Sequence, residues 1–207
     1  MNPMERCCAA ARSLLSDAAV QSGFARPEVV PLRRKDDRGL LLSALPRRLA
    51  AENGGDAQAV AAVLAAGIAP DGTPFSRVTA ENGMLLLSLS ESWMRSVLTG
   101  FAPLEWPDIP ALPWERNEEN PLFFLAYTAR RCRVLSEREH GAVPARLPAG
   151  LICALAGEGD AVDIVRSYWQ LPYEVRAYAP LAKAVGVTAG LIYRKFTPFA
   201  GDARYNN

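Results

Sequence analysis

The chain has 207 residues, of which 50% are hydrophobic and 22% are charged, and its formal net charge is +1. This balance excludes an intrinsically disordered chain. It also excludes a global positive field that would draw the protein onto nucleic acid, so any RNA-binding surface must be local. The length allows two domains of about 100 residues, each with a core of its own.

The first predicted element is an amphipathic helix over residues 3–22, which ends near Gly23. Its apolar positions recur at steps of three and four residues; they are Met4, Cys8, Ala11, Leu15 and Ala18. Residues 27–33 are rich in valine and proline and predict a short edge strand. The charged run over residues 34–39 then predicts a solvated turn.

A second helix is predicted to carry Leu45 and Leu49 on its apolar side and to continue to Glu52. Ser43 is its expected N-cap. This start makes Pro46 tolerable, because the amides of a first helical turn have no intrahelical partner to lose.

A third helix is predicted from an N-cap at Asp56 to Gly67. Val60, Val63 and Leu64 recur at the spacing of one helical face, so they are expected to face the core.

A β-hairpin follows. Its predicted strands, residues 75–80 and 84–90, flank the tripeptide 81–83, and Asn-Gly between apolar runs is a strong hairpin signal. Ser88 or Ser90 is predicted to cap a last short helix before Gly100.

The order helix, strand, two helices, hairpin, helix predicts an α+β domain over residues 1–100, with a small antiparallel or mixed sheet covered by helices. Residues 101–119 then hold four prolines, two tryptophans, five acidic residues and one arginine. This composition predicts a proline-rich linker. Trp106 and Trp114 are expected to pack the linker onto a domain face.

From Asn120 onward the pattern is helical, with a break between Val143 and Pro148. The predicted helices run over residues 120–140, 149–156, 160–170 and 172–196, the last with a kink at Pro180. We therefore predict an all-α helical-bundle domain over residues 120–207.

The first of these helices carries a recognisable pattern. Asn120 and Pro121 are followed by Phe123, Phe124 and Tyr127, and arginines lie in the turn beyond. This pattern resembles the opening helix of the DALR-type anticodon-binding domain of arginyl-tRNA synthetases. The later order of helices is also similar to that domain, although its final helices, including the stretch that gives the DALR name, are absent here. The resemblance implies that Arg130 or Arg131 is the counterpart of the family's arginine on this helix.

Residues 1–100 separately resemble the N-terminal additional domain of the same enzymes. The segments 39–41, 45–50 and 83–87 are counterparts of the family's Gly-Asp-Tyr, Leu-Ala-Lys and Gly-Phe-Ile-Asn-Phe tracts. The catalytic domain is missing between the two similar parts, and neither ATP-binding signature, His-Ile-Gly-His nor Lys-Met-Ser-Lys, occurs in the sequence. The resemblance implies tRNA contacts by both domains, at the D-loop corner and the anticodon loop, without aminoacylation.

Basic residues beside aromatic residues are the RNA-binding candidates, since guanidinium and ammonium groups hold phosphates and aromatic rings stack bases. On the helix that begins at Asn120 they are Tyr127, Arg130, Arg131 and Arg133, and later in the helical domain they are Arg176, Lys183, Arg194 and Lys195. In the N-terminal domain they are Arg47 and Arg48, together with Arg33, Arg34 and Lys35. The alternative for the basic residues is a solvated helix face, and for the tyrosines a half-buried core position.

The sequence offers no catalytic centre, metal site or cofactor site. No two of its four cysteines form a C-x-x-C pair, and His140 is the only histidine. Arg12 and Asp17 interrupt the first helix, so it is not the unbroken apolar run of a signal peptide or a membrane span. Reduced cysteines without a disulfide framework favour the cytoplasm.

Two functions follow from these patterns. The first is a non-catalytic, arginyl-tRNA synthetase-like tRNA-binding adaptor, in which two weak basic surfaces joined by a stiff linker grip one tRNA. The second is a protein–protein interaction module that has lost RNA binding and uses the truncated helical domain for self-association or for a partner protein.

Overall fold

The computed structural model describes residues 2–35, 39–109, 120–137, 143–157 and 159–197. The strands are β1 (Leu32–Lys35), β2 (Leu40–Ser43), β3 (Phe75–Glu81) and β4 (Met84–Leu89). The helices are α1 (Pro3–Gln21), α2 (Leu45–Asn53), α3 (Ala57–Gly67), α4 (Glu91–Thr99), α5 (Pro121–Ser136), α6 (Ala149–Ala156), α7 (Ala161–Trp169), α8 (Tyr173–Arg176) and α9 (Ala179–Phe196).

The described residues fall into two compact units. The first unit takes those up to Arg95 together with Pro148–Gly157, and the second takes those from Ser96 to Leu147 and from residue 159 onward. The division differs from the predicted domains in two places. The helix α6 belongs to the first unit, and the second unit begins at Ser96, within α4, so that it includes the described residues of the predicted linker. A side chain at Gly39 would lie 2.6 Å from the Ala149 Cβ at the start of α6.

The first unit is built on a four-stranded antiparallel sheet with the order β1-β2-β4-β3. Leu41, Leu85 and Leu87 are fully buried under the helices. This arrangement confirms the predicted α+β architecture. The hairpin is also confirmed, because Asn82 and Gly83 both have positive φ values, 51° and 69°, as a type I′ turn requires.

Four details of the first unit correct the sequence prediction. The first correction is the position of the first strand, which is β1 rather than residues 27–33, because Pro27 and Pro31 have no amide N–H to donate to the hydrogen bonds of a sheet. The second correction is the strand β2, which was not predicted because a short run of leucines does not distinguish a strand from a helix.

The third correction concerns the start of α2. The N-cap position is Ala44, and Ser43 ends β2, although its Oγ still accepts the Leu45 amide hydrogen bond at 3.2 Å. Pro46 lies in the first turn of α2, as predicted.

The fourth correction concerns which residues face the core. Val63 is 53% exposed, whereas Ala61 and Leu64 are buried, because a helix this rich in alanine gives apolar periodicity little contrast. In α1 the buried cysteine is Cys7, while Cys8 lies beside it at intermediate burial.

The described residues of the second unit form helices and turns, with α5 packed along α9 and α7 packed on both. Gly186 of α9 permits this approach, since a Cβ there would lie 2.6 Å from both the Cys132 Cβ and the Trp106 ring. Trp106 therefore packs the described part of the predicted linker against α9. Trp114 and His140 lie outside the described residues.

Pro180 breaks the predicted long helix where a kink was expected. The helix α8 ends at Arg176, and α9 begins at Ala179 with Pro180 in its first turn. In that position the missing amide of proline costs no intrahelical hydrogen bond.

Candidate nucleic-acid interface

Three aromatic rings and one guanidinium group form a continuous row in the second unit, which we call the stacked row: Phe123, Tyr127, Trp169 and Arg176. The ring centroids of Phe123 and Tyr127 are 6.0 Å apart with planes at 22°, and those of Tyr127 and Trp169 are 5.8 Å apart at 29°. The Arg176 Cζ lies 4.9 Å from the Trp169 ring centroid. Arginine is the cation found most often in such cation–π pairs, and tryptophan is the ring that binds cations best.

Local sequence and one long-range hydrogen bond position this row. Phe123 and Tyr127 are four residues apart on α5 and so lie on the same helix face. Trp169, at the end of α7, donates its indole N–H to the Thr128 Oγ1 at 2.9 Å, and Thr128 is fully buried. The hydrogen bond fixes the rotation of the indole, so the ring that carries Arg176 has a defined orientation.

A second hydrogen bond fixes the backbone that carries Arg176. The Tyr168 hydroxyl donates to the Arg176 carbonyl oxygen at 2.7 Å, and the Tyr168 ring packs edge-on against Trp169. The Arg176 Nε atom is buried and has no hydrogen-bond partner among the described residues. The position of this guanidinium is therefore set mainly by the tryptophan beneath it.

The surroundings of the row carry positive charge. Burial raises the pKa of the Tyr168 hydroxyl well above its ordinary value, against an opposing effect of Arg176 and Arg131. Burial likewise raises the pKa of the Cys132 thiol to about 12. Both groups are neutral at physiological pH, so neither places a negative charge beside Arg131 and Arg176.

The predicted trio on α5 does not form one cluster. Arg131 lies on the side of Tyr168, whereas Arg133 pairs with Glu137 at 3.2 Å and lies near Lys183. Arg130 donates from its Nη2 to the Ile109 carbonyl at 2.7 Å. Arg131 and Arg176 thus both act electrostatically on the Tyr168 hydroxyl, whereas Arg133 is paired with Glu137.

Lys183 occupies a different setting. Its ammonium lies 4.4 Å from the Trp106 ring centroid. Burial lowers the pKa of Lys183, and the nearby Arg133 lowers it further. Arg194 and Lys195 lie in the last turn of α9, where both are exposed and where cations interact favourably with the helix dipole.

The candidates in the first unit have local partners. Arg47 donates from its Nη2 to the Asn82 carbonyl at 2.8 Å, and Arg48 pairs with Glu52 at 2.7 Å. Arg33, Arg34 and Lys35 lie on the edge strand β1, where all three are exposed.

Sequence reasoning missed Trp169, the ring on which the row depends, and Thr128, which orients it. The spacing of Phe123 and Tyr127 is readable from sequence, but nothing local indicates that a residue 41 positions after Thr128 returns to it. The described residues contain no group of three or more His, Cys, Asp or Glu side chains that could hold a metal ion, and no helix among them is long and apolar enough to cross a bilayer.

Comparison with known proteins gives no match to a protein-family model, to a curated protein or to a solved structure. The resemblance to arginyl-tRNA synthetases therefore stays a prediction that depends on the segments quoted above.

Proposed function

We propose that this protein is a non-catalytic RNA-binding adaptor that holds a tRNA through its second unit. The observation that carries the proposal is the guanidinium of Arg176, which lies 4.9 Å from the centroid of the Trp169 ring. A guanidinium group can hydrogen-bond a phosphate with its edge and stack on an unpaired base with its plane. Its position is fixed before binding, so little side-chain entropy is lost when RNA arrives.

The contacts within the stacked row limit which of its surfaces can meet RNA. Tyr127 and Trp169 each stack on two neighbours, so much of their ring surface is already in contact. Tyr127 is nevertheless 41% exposed. We expect Arg176 to supply the plane that meets a base, Arg131 to meet a phosphate, and Tyr127 to contribute its exposed edge.

Arg194 and Lys195 are the expected second contact of the same unit. Two weak contacts on one RNA raise the overall affinity because the second forms within the complex of the first. Any chemistry on the RNA would be supplied by a partner enzyme, since the sequence has neither ATP-binding signature.

The test is a salt titration of binding to fluorescently labelled bulk tRNA, at about 50 to 200 mM salt. We expect wild-type binding to weaken as the salt concentration rises. At the same salt concentration, the Arg131→Gln/Arg176→Gln variant should bind at least tenfold more weakly than wild type. The salt slope should fall by about 1 for each lost phosphate contact. Arg166→Gln is the matched control, because Arg166 is an exposed arginine of α7 whose ionic partner is Asp163.

Two outcomes would reject the adaptor proposal: no binding of wild type at the lowest salt, or equal losses in the double variant and the Arg166 variant. Arg176→Lys separates the two roles of Arg176. It keeps the charge and removes the plane, so a stacking role predicts a loss close to that of Arg176→Gln.

A protein–protein interaction module is the second candidate, and a different surface favours it. An apolar cavity of about 560 Å³ lies in the second unit, lined in part by Leu122, Leu125, Val162 and Ile192, with Phe196 at 69% exposure beside it. Exposed apolar surface of this kind is typical of association sites. Light scattering over a concentration series tests self-association, and loss of a dimer in Phe196→Ser, without loss of tRNA binding, would assign this surface to protein contacts.

A further inference from the structure

The second unit has a cleft whose lining residues are different from those of the stacked row. Leu98, Ala102, Trp106 and Pro180 provide its apolar walls, and Lys183 lies on it with its ammonium over the Trp106 ring. We call it the Trp106 cleft. Its volume of about 410 Å³ lies within the range of roughly 300 to 1,000 Å³ that is typical of small-molecule sites.

Among the described residues, no carboxylate forms an ion pair with Lys183 in this cleft. Glu137 also lines it, but Glu137 pairs with Arg133 at 3.2 Å. Burial and the nearby Arg133 both lower the pKa of Lys183, which means that its surroundings disfavour the ammonium form. An anion in the cleft would reverse that effect.

The start of α9 also favours an anion in the cleft. Ala179 and Pro180, its first two residues, line the cleft, and the N-cap residue Tyr178 supplies no side-chain hydrogen bond to the first turn. The N-terminus of a helix carries partial positive charge and favours anions. The ammonium and the helix end therefore act on the same space, which is otherwise largely apolar.

We propose that the Trp106 cleft binds a small organic anion, with its phosphate or carboxylate group at Lys183 and its apolar part against Leu98, Trp106 and Pro180. Phosphate and carboxylate share the charge and the acceptor oxygens that an ammonium requires. The site is independent of RNA binding by Arg131 and Arg176, so either proposal can fail without the other.

The experiment uses the full chain and three probes of similar size: phenyl phosphate, benzoate and the neutral benzyl alcohol. Binding is followed by titration calorimetry and by the fluorescence change of the tryptophans. We expect at least one anion to bind with a millimolar or lower Kd and benzyl alcohol to bind at least tenfold more weakly. The anion that binds more tightly identifies the preferred head group.

Lys183→Gln should weaken anion binding at least tenfold, and Arg166→Gln, a control that also removes one positive charge but at an exposed position of α7, should leave it within twofold of wild type. Ala102→Phe fills the cleft without a change of charge and should also abolish binding, which keeps the test decisive if Lys183→Gln does not fold. The proposal is overturned if neither anion binds, if benzyl alcohol binds as tightly as the anions, or if binding survives in either cleft variant.

Discussion

The hydrogen bond between Trp169 and Thr128 can be tested as the element that orients the stacked row. Thr128→Val replaces the buried hydroxyl with a methyl group of nearly the same shape and leaves the indole N–H without its acceptor at 2.9 Å. An unsatisfied buried donor costs about 1 to 3 kcal/mol. Trp169 is only half-buried, so water can partly replace the lost hydrogen bond of the indole N–H. We therefore expect the free energy of unfolding to fall by about 1 to 2 kcal/mol.

A double-mutant cycle isolates the hydrogen bond from other effects of the substitution. Trp169→Phe removes the indole donor, so Thr128→Val should cost less in that background, and the coupling energy should be about 0.5 to 1.5 kcal/mol. Urea unfolding of the four proteins, followed by circular dichroism and tryptophan fluorescence, supplies the values. Thr128→Ser is the control that keeps the hydroxyl.

The same variants connect orientation to function. If the indole must be fixed for Arg176 to meet RNA, Thr128→Val should weaken tRNA binding several-fold, whereas Thr128→Ser should weaken it less. A coupling energy within about 0.3 kcal/mol of zero would refute the orienting role, because additive costs mean that the two groups act independently.

Three further predictions concern packing, capping and pH. Gly186→Ala should destabilise the protein by about 1 to 2 kcal/mol in thermal unfolding, since its Cβ would meet Cys132 and Trp106, whereas Gly67→Ala, with open space around it, should be neutral or stabilising. Ser90→Ala should cost about 0.5 to 2 kcal/mol in urea unfolding, because the Ser90 Oγ accepts the Trp93 amide hydrogen bond at 3.1 Å. The raised pKa of Cys132, about 12, predicts that iodoacetamide leaves this thiol unmodified in the folded protein at pH 8. By linkage its contribution to stability is complete below the ordinary thiol pKa of 9.0 and is lost as pH rises towards 12, which pH-dependent unfolding would show.

Elements with local chemical signatures were predictable from the sequence. Asp56 accepts the Ala59 amide hydrogen bond and Asn120 accepts that of Leu122, so both begin helices as expected. The Asn82-Gly83 turn has its required positive φ values. In each case the backbone conformation is determined by a side chain or a glycine within a few residues, and that information is present in a single sequence.

The errors occurred where neighbours in space decide the outcome. Leu40–Ser43 is a strand because β1 and β4 pair with it on both sides, which its own leucines do not reveal. The core side of α3 could not be placed because alanine contributes little apolar contrast. The assignment of α6 to the first unit depends likewise on its contacts with α1, which lies far away in the sequence.

For the candidate site, sequence composition identified cations but could not rank them. Arg47, Arg130 and Arg133 each have a partner inside the protein, a backbone carbonyl or a carboxylate, so their charges are already engaged. Arg176 is held by a ring instead, and a ring leaves the hydrogen-bonding edge of a guanidinium less committed than a carboxylate does. Because its partner is a ring, Arg176 is a better RNA-binding candidate than arginines of equal charge whose partners are carbonyls or carboxylates.

The same distinction separates the two proposed sites. At the stacked row a permanently charged guanidinium is presented next to neutral groups, which suits a polyanion that arrives from solution and is held by several weak contacts. At the Trp106 cleft a lysine whose surroundings lower its pKa lies over a tryptophan ring beside largely apolar walls, which suits a small anion whose apolar part packs against those walls. Both sites are cationic, so charge alone does not distinguish them. Each cation lies on a different tryptophan in different surroundings, and we therefore expect Arg176→Gln and Lys183→Gln to weaken the binding of different ligands.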